Sequence, residues 1–111
     1  LIPIAVEIPK LAKICRIMLH DAVQCFMTQN SELAREVCKR DEEVDQHYKK
    51  IYDEVINAIK ENPTSASQGV ELINTAQHLE RIADLATNLS EDVVFMKEAK
   101  IIRYGFDEPK S

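Results

Sequence analysis

One long segment with a helical repeat of apolar residues dominates the sequence: residues 65–100, SASQGVELINTAQHLERIADLATNLSEDVVFMKEAK. Apolar side chains recur in it at steps of three and four residues, which places them on one face of an α-helix. That face comprises Val70, Ile73, Ala76, Leu79, Ala83 and Val94. The segment follows Asn62-Pro63, and a proline cannot continue the hydrogen-bond ladder of a preceding helix. We therefore predict a helix from near Ser65 to about Lys100.

Two earlier segments carry the same repeat. A first helix is predicted from about Pro9, which is a favourable residue for a first helical turn. Its apolar face comprises Leu11, Ile14, Cys15, Met18, Ala22 and Phe26. A polar break with helix-capping side chains at 28–31 precedes a second helix, which should end at Asn62-Pro63. The apolar face of the second helix comprises Leu33, Val37, Val44, Tyr48, Ile51, Val55 and Ile59.

Three helices joined by short breaks predict an all-α fold, an antiparallel three-helix bundle with a spectrin-like up-down-up order. The 111 residues allow one domain, predicted as a single helical repeat over 1–111. Its structured core should span about 9–104, and 105–111 should form a frayed polar tail. The long helix carries more apolar surface than two neighbours can cover, so we expect association with a second copy or a second domain.

Composition narrows the classes of function. The chain has 14 Lys plus Arg against 19 Asp plus Glu, and the net charge of −5 counts against nucleic acid as a ligand. No apolar run approaches the ~20 residues of a membrane span, so we expect a soluble chain that is peripheral to a membrane at most. Cys15, Cys25 and Cys38 match no zinc or CxxC spacing, and their odd number fits reduced thiols in a cytoplasmic protein.

Two pairs of acidic residues are the candidate metal ligands. Asp41 and Asp45 in the second helix are four residues apart, as are Glu80 and Asp84 in the third, so each pair shares a helix face. At about 100° per residue, Asp41 lies at the edge of the apolar face of its helix. The third helix carries a narrow oxygen-rich seam within a largely apolar surface. The seam comprises Glu80, Asp84, Asn88 and Glu91.

Carboxylates beside an apolar face are costly unless a cation neutralises them. Oxygen ligands suit Mg²⁺, Mn²⁺ or Ca²⁺, and iron and zinc also accept carboxylates, so a site for several metal ions is geometrically feasible. The alternative from spacing alone is a solvated acidic face that binds no metal. A ferritin-like di-metal site would require Glu-x-x-His, and none of His20, His47 and His78 follows a Glu by three residues.

Two of these segments resemble the motifs of a known family. Residues 79–93, LERIADLATNLSEDV, closely resemble the signature helix of the PhoU phosphate-uptake regulators. The segment Asp41–Asp45, followed by Tyr48 and Ile51, resembles the companion Glu/Asp-x-x-x-Asp motif. Arg103 resembles part of the closing Val-Arg-His of the family. The resemblance extends over about residues 11–104 and implies a PhoU-like three-helix repeat, most like the C-terminal one of two.

The resemblance also implies a metal site. By motif match, the candidate ligands are Asp41, Asp45, Glu80 and Asp84, with Asn88 and Glu91 as second candidates. Members of the family hold multinuclear clusters, so iron or zinc is expected, with manganese, nickel or magnesium as alternatives. Leu85 and Tyr104 stand where the family often has histidine, so these positions supply no nitrogen ligand here.

The family represses phosphate-starvation signalling by bridging a phosphate ABC transporter and a membrane sensor histidine kinase. The resemblance therefore implies a cytoplasmic regulator that is not an enzyme. Its expected partners are the transporter ATPase and the sensor kinase, together with a second copy as a homodimer or a second repeat. Two alternatives stay open: a structural helical adaptor without metal, and a PhoU-like domain of a larger transporter. A carboxylate-bridged metalloenzyme is a further alternative that lacks the usual histidine.

Overall fold

The computed structural model describes residues 7–107, with side chains described for 7–100. Every element in this range is helical, which confirms the all-α prediction. The helices are α1 (Glu7–Thr28), α2 (Ser31–Lys39), α3 (Asp41–Glu61) and α4 (Ala66–Asp107), and a 3₁₀ helix at Pro63–Ser65 joins α3 to α4.

The break between α1 and α2 falls in the polar segment that the sequence indicated. Gln29 adopts a φ of 55°, a left-handed conformation that ends α1. Asn30 then caps α2, because its side-chain oxygen accepts a hydrogen bond from the backbone N–H of Leu33 at 3.1 Å. A two-residue turn is thus enough to bring α2 against α1.

The second predicted helix is interrupted at Arg40, where α2 ends and α3 begins. The N–H of Arg40 donates to the carbonyl of Val37 at 3.1 Å, a three-residue step that tightens the backbone locally. The apolar face continues across the interruption, because Val37, Val44 and Ile51 are seven residues apart and all are buried. The interruption therefore leaves no trace in the spacing of apolar residues.

Asn62 organises the connection between α3 and α4. Its side-chain oxygen accepts hydrogen bonds from the Thr64 hydroxyl at 2.6 Å and the Thr64 N–H at 3.3 Å. Its backbone carbonyl accepts the hydroxyl of Ser65 at 2.7 Å. These bonds satisfy backbone groups that the end of one helix and the start of the next leave unpaired. The predicted end at Asn62-Pro63 therefore has a defined local cause.

Gly69 lets the first turns of α4 approach α3 closely. A Cβ atom at this buried position would lie 2.8 Å from the side chains of both Ile59 and Val55. Real Cβ contacts essentially never reach this distance, so a larger residue would force the side chains of Val55 and Ile59, or α4 itself, to shift. The absence of a side chain at Gly69 therefore lets α4 pack directly against Val55 and Ile59 of α3.

A seven-residue repeat runs through the core, with buried residues at alternating steps of three and four. In α1 the fully buried residues are Leu11, Cys15, Met18, Ala22 and Cys25. In α2 and α3 they are Ala34, Val37, Val44, Ile51 and Val55. In α4 they are Ala76, Ala83, Ala86, Ser90 and Val93. The small side chains of α4 allow its long backbone to pack closely against the other helices.

Contacts between α1 and α4 pair residues whose numbers rise together. The sulfur of Cys25 lies 3.8 Å from the hydroxyl of Ser90, and both groups are buried. Further along, the ammonium of Lys97 donates to the carbonyl of Gln29 at 3.2 Å. Residues of α1 are therefore level with residues of α4 numbered 65 to 68 higher.

Contacts of α2 and α3 with α4 follow the opposite pattern. As residue numbers rise along α2 and α3, the numbers of the residues that they contact on α4 fall. The thiol of Cys38 lies 4.0 Å from the carbonyl of Thr87, and the Tyr48 hydroxyl lies 3.3 Å from the Gln77 amide. The helices packed side by side form a narrow rod of 73 × 18 × 16 Å.

The helix α4 contains 42 residues, which corresponds to about 63 Å of helix. It continues to Asp107, past residue 105 where the frayed tail was expected to begin, and the rest of that tail, 108–111, lies outside the described residues. Over residues 7–107, none of the helices combines the length and apolar character that crossing a bilayer requires.

Candidate functional site

Asp41 begins α3 at a position that the core repeat would give to an apolar residue. It lies four residues after Val37 and three before Val44, and both of these are fully buried. Asp41 is consequently half-buried at the junction of α2 and α3. A carboxylate in the first turn of a helix interacts favourably with the free N–H groups there, which offsets part of the cost of this burial.

The electrostatic surroundings of Asp41 are acidic. Burial raises the pKa of its carboxyl above the ordinary value, and the negative charges of Asp45, Asp84 and Glu91 raise it further. Asp45 is on the same helix, whereas Asp84 and Glu91 belong to α4. The structure therefore brings both predicted pairs and one second candidate into a single electrostatic neighbourhood.

Glu80 occupies the matching position on α4. It is half-buried, three residues before the fully buried Ala83. Burial raises the pKa of Glu80, and the negative charges of Asp45, Asp84 and Asp41 add to this effect. Glu80 and Asp45 are close enough for one carboxyl to donate a hydrogen bond to the other when it is protonated. The carboxylates of α3 and α4 thus face each other across the helix pair.

We define the carboxylate strip as Asp41, Asp45, Glu80, Asp84 and Glu91. The predicted ligands other than Asp41 and Glu80 are in contact with solvent. Asp45, Asp84, Asn88 and Glu91 are exposed. Among the side chains of residues 7–100, the Asn88 amide makes no hydrogen bond, so the structure does not tie it to the strip.

The carboxylate strip lacks basic partners within the described part of the chain. Among the ion pairs of residues 7–100, none involves a carboxylate of the strip, although other acids pair with lysine or arginine. Over the same residues, no three His, Cys, Asp or Glu side chains are positioned to hold one metal ion. The donor atoms fit a hard or borderline cation, and coordination would require the exposed side chains to rotate inward.

Cys38 adjoins the carboxylate strip and was not among the predicted site residues. Burial raises the pKa of its thiol, and the negative charges of Glu91 and Asp41 raise it further. Its position three residues before Asp41 is a sequence signal for a shared helix face, but the contact with α4 depends on packing. The Cys15 thiol, near Glu80, has its pKa raised to about 11, mainly by burial.

A second charged cluster, which no sequence pattern indicated, joins the start of α1 to α3. The buried Glu7 carboxylate lies 3.1 Å from the Lys50 ammonium, 3.3 Å from Nδ1 of His47 and 3.6 Å from the Lys10 ammonium. The hydrogen bond from Lys50 is the main cause that lowers the pKa of Glu7. Basic neighbours therefore stabilise this carboxylate, whereas the carboxylates of the strip have no such neighbours among residues 7–100.

A groove of about 420 Å³ separates α2 from α4 and touches the strip at Glu91. Its lining comprises Arg35, Cys38, Lys39, Glu91, Val94, Phe95 and Glu98. Arg35 and Glu98 pair across it at 2.9 Å, and both are largely exposed. The groove is thus distinct from the helix pair that holds the other four carboxylates.

Comparison with known families finds a match to the PhoU domain over residues 8–93. The matched range contains α1 except its first residue, all of α2 and α3, both acidic pairs and the seam of α4. It agrees with the resemblance that residues 41–45 and 79–93 indicated.

Similar proteins carry the name phosphate-specific transport system accessory protein PhoU homolog. One from Clostridium acetobutylicum is 34% identical over 83 residues, which cover 75% of this chain and 38% of the relative. A second, PhoU homolog 2 of Thermotoga maritima, is 33% identical over 102 residues, covering 92% of this chain and 43% of the relative. One from Caulobacter vibrioides is 34% identical over 89 residues, covering 80% and 39%. The chain thus spans about two fifths of the length of these relatives.

Proposed function

Because the chain belongs to the PhoU family, we propose that it is an accessory, regulatory module of phosphate transport whose carboxylate strip binds metal ions. Its relatives are named as accessory proteins of the phosphate-specific transport system. In this proposal the module represses phosphate-starvation signalling through contacts with the transporter ATPase and a sensor histidine kinase. It acts by binding, without catalysis, at the cytoplasmic side of the membrane.

One observation carries the metal-binding proposal: five carboxylates share one neighbourhood without a basic partner among residues 7–100. The raised pKa values of Asp41 and Glu80 mean that ionisation of these groups is less favourable in the folded protein than in water. A bound cation would supply the missing positive charge and would link α3 to α4 through Asp45 and Asp84. Iron or zinc is proposed because both accept carboxylates, with manganese, nickel or magnesium as alternatives.

The two cross-helix contact patterns support an up-down-up bundle as the scaffold of this module. Residue numbers rise together between α1 and α4 and run oppositely between α3 and α4. An antiparallel α3–α4 pair places Asp41 level with Asp84, and Asp45 level with Glu80. The two acidic pairs can therefore face each other over their full length.

We also propose that this chain packs against a second helical unit. The relatives are more than twice as long as the matched segments, so each has room for another helical repeat. We expect this chain to associate with a second copy, as a homodimer, or with a second repeat. The alternative is that this module is a PhoU-like domain of a larger transporter.

The metal-binding proposal is tested by measuring the metal content of protein purified without chelator. We expect wild-type protein to retain iron or zinc, and E80Q/D84N to lose it, because the double variant removes two of the carboxylate charges from the strip. The matched control is E71Q, which neutralises an exposed carboxylate of α4 outside the strip. Equal metal content in all three proteins, or none in any of them, would refute metal binding at the strip.

A structural adaptor without metal is the second candidate. It is favoured by the absence, over residues 7–100, of three groups already positioned around one ion. In that case added Zn²⁺, Fe²⁺ or Mn²⁺ would leave thermal stability unchanged, whereas a ligand specific to the folded state must raise it. Pull-down of the transporter ATPase by metal-free protein would then separate the adaptor function from metal binding.

A further inference from the structure

The groove between α2 and α4 has an apolar floor, which Cys38, Val94 and Phe95 contribute. The ring of Phe95 is 72% exposed there, whereas Val94 packs against the buried cluster that includes Cys25. The groove volume of about 420 Å³ lies within the range of about 300–1,000 Å³ that is usual for binding pockets. Phe95 is therefore presented in a concave surface and is not an isolated apolar residue on a flat one.

A row of carboxylates follows the α4 side of this groove. Asp84, Glu91 and Glu98 are seven residues apart, which is about two helical turns, so they share one stripe of α4. All three are exposed, and Phe95 lies between Glu91 and Glu98. At 1.5 Å per residue the row extends over about 21 Å. We call Asp84, Glu91 and Glu98 the acidic row.

The unmatched charge beside the groove is negative. Two basic residues of α2 line the groove, but each already contacts a carboxylate: Arg35 donates to Glu98 at 2.9 Å, and the Lys39 ammonium lies 3.6 Å from Glu36. Asp84 and Glu91 belong to no ion pair among residues 7–100. A positively charged occupant therefore complements this surface better than a second copy of the chain, whose net charge is −5.

The walls of the groove favour a helical occupant. Both walls are α-helices, whose backbone groups bond within the helix, so the groove offers no sheet edge to an extended peptide. A helix satisfies its own backbone groups and can place apolar side chains at steps of three and four residues against the floor. The acidic row corresponds in length to about 14 residues of such a helix.

We propose that the α2–α4 groove and the acidic row bind a cationic amphipathic helix of a partner protein. Its apolar side chains would pack against Val94 and Phe95, and its lysine or arginine side chains would pair with Asp84 and Glu91. The inference rests on the proposed function, because it assigns a docking surface to the partners of the regulatory module. It does not require bound metal.

The test is fluorescence anisotropy of a labelled probe peptide mixed with the full chain in EDTA. The probe is a peptide of about 14 leucine and lysine residues, with leucine at helical steps of three and four. We expect saturable binding to wild-type protein. F95S, which removes the ring from the floor, should raise the dissociation constant at least about tenfold. The matched control L85S changes another largely exposed apolar residue of α4, outside the groove, and should leave binding unchanged.

The contribution of charge is tested with a second pair of variants. D84N/E91Q removes two charges of the acidic row and should raise the dissociation constant by about threefold or more. The control D53N/E71Q removes two exposed carboxylates that do not line the groove. It should leave binding nearly unchanged at about 0.15 M salt, where screening acts over about 8 Å.

Four results would overturn the inference. They are no saturable binding by wild type, equal binding by F95S and L85S, a D84N/E91Q variant no weaker than its control, and equal binding of a probe whose leucines are replaced by serine. Dimerisation of the chain alone that F95S abolishes in sedimentation equilibrium would also overturn it, because the groove would then hold a second copy. Since the assay contains EDTA, protein that binds no metal can still bind the probe, so failure of the metal proposal and failure of this one are distinguishable.

Discussion

Glu7 and Glu80 are carboxylates beside the same core, but the charges around them have opposite signs. Three basic groups surround Glu7, and the nearest, Lys50, lowers its pKa. Only acidic neighbours act on Glu80, and together with burial they raise its pKa. The two residues should therefore make stability depend on pH in opposite directions.

Neutralising Glu80 should stabilise the metal-free protein at pH 7. A carboxyl whose folded pKa is raised binds its proton more tightly in the folded state, so stability rises as pH falls through that pKa towards the ordinary value of 4.5. E80Q should thus gain about 0.5 kcal/mol at pH 7, the scale of one like-charge pair on a helix, and D41N should behave similarly. Urea unfolding at pH 7 and pH 4 measures the effect. A loss of stability in E80Q, or a gain equalled by E71Q, would show that the strip is not under electrostatic strain.

Neutralising Glu7 should have the opposite effect. Its folded pKa is lowered, so its contribution is complete above 4.5 and is lost as pH falls through the folded pKa. E7Q should be destabilised by about 1–2 kcal/mol at pH 7, because a buried charge-assisted hydrogen bond is weakened. Its stability should also vary less than that of wild type between pH 5 and pH 2. An unchanged acid transition in E7Q would contradict this assignment.

At the scale of the helices, the sequence predicted those helix ends and acidic pairs that depend on residues close together in the chain. The breaks at Asn30 and Asn62 have capping side chains, and the acidic pairs are visible from a spacing of four residues. The interruption at Arg40 could not be predicted, because a single three-residue hydrogen bond does not disturb the apolar repeat. The neighbours of Cys38 and Glu7 were also missed, since they belong to other helices and depend on packing.

Gly69 is the point at which a single methyl group should alter the packing of two helices. Alanine is favoured over glycine within a helix by about 1 kcal/mol, but its Cβ would lie 2.8 Å from the side chains of Val55 and Ile59. We expect G69A to be destabilised by about 1 kcal/mol overall, because overpacking outweighs helix propensity. Chemical denaturation measures this, with S67A as a control at an exposed position of the same helix. Stabilisation by G69A would mean that α4 does not approach α3 closely here.

At the scale of the whole molecule, the rod carries the carboxylate strip along one pair of helices, α3 and α4. The family match covers every residue of the strip, because it extends over residues 8–93. In the proposed function, metal would bind along this one side of the module.

The central claim is that the acidic side chains of α3 and α4 are held together by cations, and thermal unfolding with and without metal tests it most directly. Without metal, E80Q should melt at a higher temperature than wild type, because one repelling charge is gone. With saturating Zn²⁺ or Fe²⁺ the order should reverse, since only the wild-type strip keeps its full set of ligands, and binding to the folded state raises its melting temperature. E71Q should follow wild type in both conditions. Metal that leaves wild type unchanged, or raises E80Q equally, would contradict the claim.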